Sequence, residues 1–186
     1  MRKLLSLSLF LVFSANVWAQ SKDTGTFQFV ERMGHHTAKL IVKSRVFARS
    51  RHNITFADEQ YLRRNQVSLA QGVSLVTKVD GREPLGVDGT VPRIEIESMV
   101  VFFDGRKIAI PQRFYSDCYN PNLGKNYFAT KLNGEGDSLL VFMAGSDGAG
   151  GYEVMWVLRK DGHHSRFINN CSDCDYQGLL DFFIKQ

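Results

Sequence analysis

The chain has 186 residues and a formal net charge of +4. That length suits one domain able to bury a proper core. So small a net charge gives no argument for a nucleic-acid partner.

The first elements concern location. Arg2 and Lys3 form a positive start, Leu4 to Phe13 an apolar run, and Ala15 to Ala19 a stretch with small residues where a signal peptidase reads. The pattern predicts a leader over residues 1–19, cut after Ala19, followed by one β-rich domain over residues 20–186. The apolar run is shorter than the ~20 residues that a spanning helix needs, and nothing later is apolar for long enough. No Cys follows it to carry a lipid anchor. The expectation is an exported, periplasmic or secreted protein that does not span a membrane. Loss of Arg2 and Lys3 with the leader leaves 21 basic against 19 acidic residues, a net charge of +2.

Thr26 to Met33 and Ala38 to Phe47 read as strands around Gly34-His35-His36. The second carries Lys39, Lys43 and Arg45, with Arg49 and Arg51 just beyond and Arg63 and Arg64 further on. That concentration reads either as a solvated strand face or as a surface for an anionic envelope polymer or acidic partner. Ala57 to Asn65 is a helical turn or a surface loop. Val67 to Ala70 and Gly72 to Val79 read as short strands, ended by the tight turn Asp80-Gly81, and Pro84 to Pro92 as a loop. Ile94 to Phe103 and Arg106 to Ile110 flank Asp104-Gly105, the strongest short-range hairpin signal in the chain.

Gln112 to Asn126 is polar and crosses between hairpins. Tyr127 to Leu132 pairs with Ser138 to Ala144, and Tyr152 to Leu158 with His163 to Ile168 around Lys160-Asp161-Gly162. Tyr176, Leu179, Leu180 and Phe183 fall at i, i+3, i+4 and i+7 and predict a C-terminal helix. Strands this short with turns this frequent predict an all-β fold, an antiparallel sandwich or barrel of hairpins.

Three cysteines allow three chemistries. Cys118 paired with Cys171 or Cys174 would form a disulfide suited to an oxidising compartment and pin the chain's end to the middle of the sheet. Cys171-Ser172-Asp173-Cys174 also has redox spacing, but lacks the strand-helix-strand context of a thioredoxin-like unit. A zinc site using His163 or His164 has only one pair at ligand spacing. No metal is expected, because that spacing and an oxidising compartment do not suit stable thiolate ligands, and no cofactor, because no phosphate-binding glycine loop of the P-loop or Rossmann kind is present. Ser146 is not in a nucleophile elbow, whose G-x-S-x-G pattern and strand-to-helix turn are both missing. The five histidines form no clear base, and a carboxylate pair such as Asp147 with Glu153 or Asp117 arises by chance among 19 acidic residues. The reading is of a protein that is not an enzyme.

The distinctive stretch is Gly145-Ser146-Asp147-Gly148-Ala149-Gly150-Gly151-Tyr152, four of whose eight residues are Gly. It lies between the apolar run Ser138 to Ala144 and a strand in which Tyr152, Val154, Trp156 and Leu158 share one face at period two. A loop held at both ends by core strands is a candidate recognition element, or simply a hairpin connection.

This loop and the alternating strand after it resemble the periplasmic lysozyme inhibitors, in particular the I-type family, over about the last half of the chain from Val100. The resemblance implies an antiparallel β-sandwich that inserts a loop into a lysozyme active-site cleft. Ser146 and Tyr152 would be the contact side chains, while Gly148, Gly150 and Gly151 would shape the loop with Asp147 among them. The sequence departs from the family's S-G-x-x-Y signature, since Asp147 stands where the signature has Gly and Ser146 and Tyr152 are six positions apart. The expected partner is a protein, which the resemblance implies is a lysozyme. The alternative is a non-catalytic structural or interaction protein of the envelope, using the Lys39 to Arg51 region and aromatics such as Phe114 and Tyr115.

Overall fold

The structure is a computed structural model and describes residues 24–124, 127–133, 135–146 and 150–170. The predicted leader, Cys171, Cys174 and the predicted C-terminal helix lie outside the described residues.

Alternation of apolar and polar residues produces the first sheet. Its strands are β1 (Gly25–Met33), β2 (His36–Val46), β5 (Ile94–Phe103) and β6 (Arg106–Ala109), in the order β1-β2-β5-β6. In β2, Ala38, Leu40, Val42 and Ser44 are buried while Lys39 and Lys43 sit on the opposite face, as period two requires. The β5–β6 hairpin closes through Asp104 at φ 49° and Gly105 at φ 78°. Two successive left-handed residues make the primed turn that matches strand twist.

The second sheet has the order β10-β9-β8-β7, from β7 (Phe128–Leu132), β8 (Ser138–Gly145), β9 (Tyr152–Arg159) and β10 (His164–Asn170). Every residue of β8 is buried, which explains its continuous apolar run: both faces of this strand are covered. The two sheets pack face to face. Leu40, Val42, Met99 and Val101 from one meet Val141, Val154, Trp156 and Leu158 from the other in a single core. Each such side chain contributes about 1.5–3 kcal/mol on burial. The architecture is therefore the all-β sandwich.

A short third sheet pairs β3 (Ile54–Phe56) with β4 (Val76–Val79). Between them the segment left open as turn or loop is a helix, α1 (Glu59–Arg64), whose N-cap Asp58 accepts a 2.7 Å hydrogen bond from the Tyr61 amide. Of the strands expected over 67–70 and 72–79, only Val76–Val79 forms. No helix among the described residues is long and apolar enough to cross a membrane.

The two long sides of the sandwich differ. On one, the edges β1 and β7 are tied together: Phe27 stacks on Phe128 at 4.8 Å, and the Glu31 carboxylate accepts from the Thr130 amide at 2.8 Å and hydroxyl at 2.7 Å. The opposite side, between the edges β6 and β10, holds a cleft.

Candidate functional site: the glycine loop and the basic cleft

The residues of the glycine loop are placed by what they pack against. Ser146 has left-handed backbone (φ 58°), its amide donates to the Asn120 carbonyl at 2.9 Å, and its own carbonyl accepts from Asn122 Nδ2 at 2.9 Å. The loop's first residue is thus clamped to the crossing segment. Asn120 anchors that segment: its Oδ1 accepts from the Arg93 and Ile94 amides, and its Nδ2 donates to the Gly86 carbonyl at 2.6 Å.

Tyr152 is not the presented side chain that the resemblance implies. It is 1% exposed and belongs to the core, and its hydroxyl has no hydrogen-bond partner among the described residues. The phenol is held well above its usual pKa by burial first, then by Cys118 and Asp117 nearby. The reason is the same alternation that buries Val154, Trp156 and Leu158: Tyr152 is in phase with them. A Cβ on Gly145 would run into the Tyr152 ring, so the close approach of strand and ring requires glycine there. A Cβ on Gly150 would meet Asp88 Oδ1 at 2.6 Å and the Val87 backbone at 3.1 Å, which fits the loop against the 84–92 segment. Gly151 follows, half-buried, and Asp147, Gly148 and Ala149 lie outside the described residues. At both tested positions the glycines serve packing.

Cys118, one of the disulfide candidates, has no disulfide partner among the described residues and is 1% exposed. Burial, together with neighbouring Asp117, pushes its pKa far up. Such a thiol is inert as a nucleophile or metal ligand. Its two candidate partners, Cys171 and Cys174, are outside the described residues.

Two cations of the basic run from Lys39 to Arg51 are not free either. Arg45 Nε and Arg51 Nη2 reach Glu95 Oε1 at 2.5 and 3.2 Å, while His52 Nε2 lies 2.6 Å from Glu95 Oε2. Glu95 is 5% exposed. His52 Nδ1 lies 2.7 Å from Asp80 Oδ2, and its ring stacks on Phe47. Arg45 and Arg51 spend their charge locally on Glu95, and with the His52 contacts they tie the main sheet to β3–β4. Of the aromatics considered as a surface, Tyr115 is buried and Phe114 is half-buried against the core.

Basic residues converge instead at the open side. A cleft of about 430 Å³ lies between the β5–β6 and β9–β10 turns, with Arg106, Lys107, Arg159 and Lys160 against one acid, Asp104. That acid is already engaged, accepting from the Thr37 amide at 2.8 Å and facing His36 Nδ1 at 2.7 Å. His36 first, and then the Thr37 amide, hold the Asp104 carboxyl below its ordinary pKa. Phe103, Ile108 and Ala109 give the cleft an apolar floor beside those charges.

A second, shallower depression carries Arg82, Arg113 and Arg166 with Asp117. Here Asp117 is spent on Arg166, through a two-pronged pair at 2.5 and 2.8 Å. Arg166 Nη1 and Trp156 Nε1 both donate to the Phe114 carbonyl at 2.9 Å, which fixes the wall between depression and core. His164 lines both depressions. Burial, reinforced by His163 and opposed by Asp161, lowers its pKa, and its Nδ1 accepts from the Arg159 amide at 3.3 Å. That shift favours the neutral imidazole, and the arginines and lysines carry the charge of the face.

The sequence reading did not find this cleft. One signal was present: the Asp-Gly turns at 104–105 and 161–162 each have a basic pair beside them, Arg106-Lys107 after one and Arg159-Lys160 before the other. Only the sandwich sets those turns side by side.

Fold and site together define an all-β sandwich with one sealed and one open, cationic side. No family model, curated protein or solved structure matches the chain, so the likeness to lysozyme inhibitors rests on its motif residues alone.

Proposed function

We propose that this chain is an exported, non-catalytic binding domain that engages an anionic partner through the cleft on the open side of the sandwich. The observation that carries the reading is the imbalance of the lining. Seven arginines and lysines of the two depressions face two aspartates, and both aspartates are already committed within the domain. The whole mature chain would carry only +2, so the cleft concentrates charge that the rest of the surface balances. Apolar walls beside the cations lower the local dielectric and focus that field.

The test is binding of fluorescein-labelled polyglutamate, followed by anisotropy at low and at physiological salt. Binding should weaken as salt rises and should be lost in Arg106→Glu with Lys107→Glu, two exposed positions outside the core. A double variant that binds as tightly as the parent would remove the cleft from the function.

A second reading keeps Ser146 as a contact in a lysozyme cleft, supported by its clamped left-handed backbone. Tyr152 takes no part in it. A turbidity assay with chicken-, goose- and invertebrate-type lysozymes decides: inhibition at near-stoichiometric ratio that Ser146→Ala weakens supports it, and undiminished lysis removes it.

A further inference from the structure

We infer that the occupant of the cleft is an extended acidic peptide segment of a partner protein, added as a strand to the edge of β6 that no strand pairs among the described residues. This rests on the reading of the cleft as the binding face and adds the geometry of recognition.

The register of the β5–β6 hairpin decides which backbone groups are available. Phe103↔Arg106 closes a two-residue turn, followed by Phe102↔Lys107, Val101↔Ile108 and Val100↔Ala109. In an antiparallel ladder the closing pair exchanges both hydrogen bonds and the next pair exchanges none. Arg106 and Ile108 therefore bond to β5, while the N–H and C=O of Lys107 and Ala109 turn away from it. β6 is the last strand of its sheet, and Lys107 and Ala109 both line the cleft. What the cleft offers at this wall is a row of main-chain donors and acceptors, which another main chain matches.

Side chains set the partner's character. Ile108 packs towards the core while Lys107 is exposed on the other face. A strand laid along β6 thus meets an apolar position opposite Ile108 and a cation opposite Lys107, with Arg159 and Lys160 across the gap. The matching segment alternates apolar and acidic residues. A second copy of this chain is a poor occupant, because its own β6 edge would bring a second cationic wall, with Arg106 and Lys107, into a cleft that Arg106, Lys107, Arg159 and Lys160 already make positive. Like charges opposite one another are how sheet edges resist self-association. The other long side has no such opening, since Glu31 already occupies the Thr130 amide.

The experiment uses the full mature chain and three probes: a short labelled peptide alternating glutamate and valine, the same peptide N-methylated on alternate backbone nitrogens, and heparin as a sulfated polysaccharide. The unmodified peptide should bind, and N-methylation on the bonding edge should weaken it by about tenfold or more at unchanged charge. Amide exchange at Lys107 and Ala109 should slow on binding, while Arg106 and Ile108 are protected beforehand. Equal binding of both peptides overturns strand addition. So does heparin or polyglutamate binding in the absence of peptide binding, and in each of these cases the cationic cleft still stands. If no anionic probe binds, the cleft reading and the strand inference fall together.

Discussion

Replacing Tyr152 with Phe separates a core residue from a contact residue. The ring is 1% exposed and its hydroxyl, buried, has no hydrogen-bond partner among the described residues. A buried hydroxyl that has lost its water and gained no hydrogen bond costs about 1–3 kcal/mol. Tyr152→Phe removes that oxygen, leaves the ring against Gly145 and opens no cavity larger than the hydroxyl. The variant should be more stable than the parent by about 1–2 kcal/mol, allowing for relaxation around the ring. For a domain of this size that raises Tm by roughly 2–4 °C per kcal/mol. Urea unfolding followed by fluorescence measures it directly. Trp156 is fully buried and is the sole tryptophan among the described residues, Trp18 lying in the predicted leader. Tyr152→Ala, by contrast, should cost about 3–5 kcal/mol, as emptying an aromatic core site does. A Tyr152→Phe variant destabilised by about 1 kcal/mol or more would mean that the hydroxyl is bonded, and would refute the placement of this side chain.

Two further outcomes follow from the same packing. Gly86 has φ +84°, and a Cβ there would strike the Tyr119 carbonyl and come within 2.7 Å of the Tyr152 ring. Adding the left-handed penalty to overpacking, Gly86→Ala should lose about 2–5 kcal/mol in urea unfolding, and a loss under about 1 kcal/mol would contradict the close approach. In a variant with Cys171→Ser and Cys174→Ser, the Cys118 thiol should stay silent towards Ellman's reagent at neutral pH until denaturant is added. Rapid labelling of the native protein would show that this thiol is not enclosed as described.

Much of the fold is local physics, and the sequence carries it openly. The Asp104-Gly105 turn is legible because only two residues need a left-handed backbone there, and the alternation in β2 and β9 announces which faces are buried. The same alternation already placed Tyr152 in phase with Val154, Trp156 and Leu158. Reading it as a contact side chain gave the motif precedence over the period, and the structure reverses that order. The segment 67–75 shows the opposite failure: its residues have strand character but gain no neighbouring edge to pair with, and propensity without a partner makes no strand.

What the sequence by itself determined is therefore the class of fold, the hairpin turns and the apolar set that fills the sandwich, because each depends on neighbours a few positions away. Only the tertiary structure decided which charges are free. Arg45 and Arg51 look like a basic surface in the chain, yet Glu95, more than forty positions from either, takes them up. Arg106, Lys107, Arg159 and Lys160 look unremarkable in the chain and meet across one cleft. Charge acts through space and alternation acts along the chain, so a linear reading finds the core and misses the face.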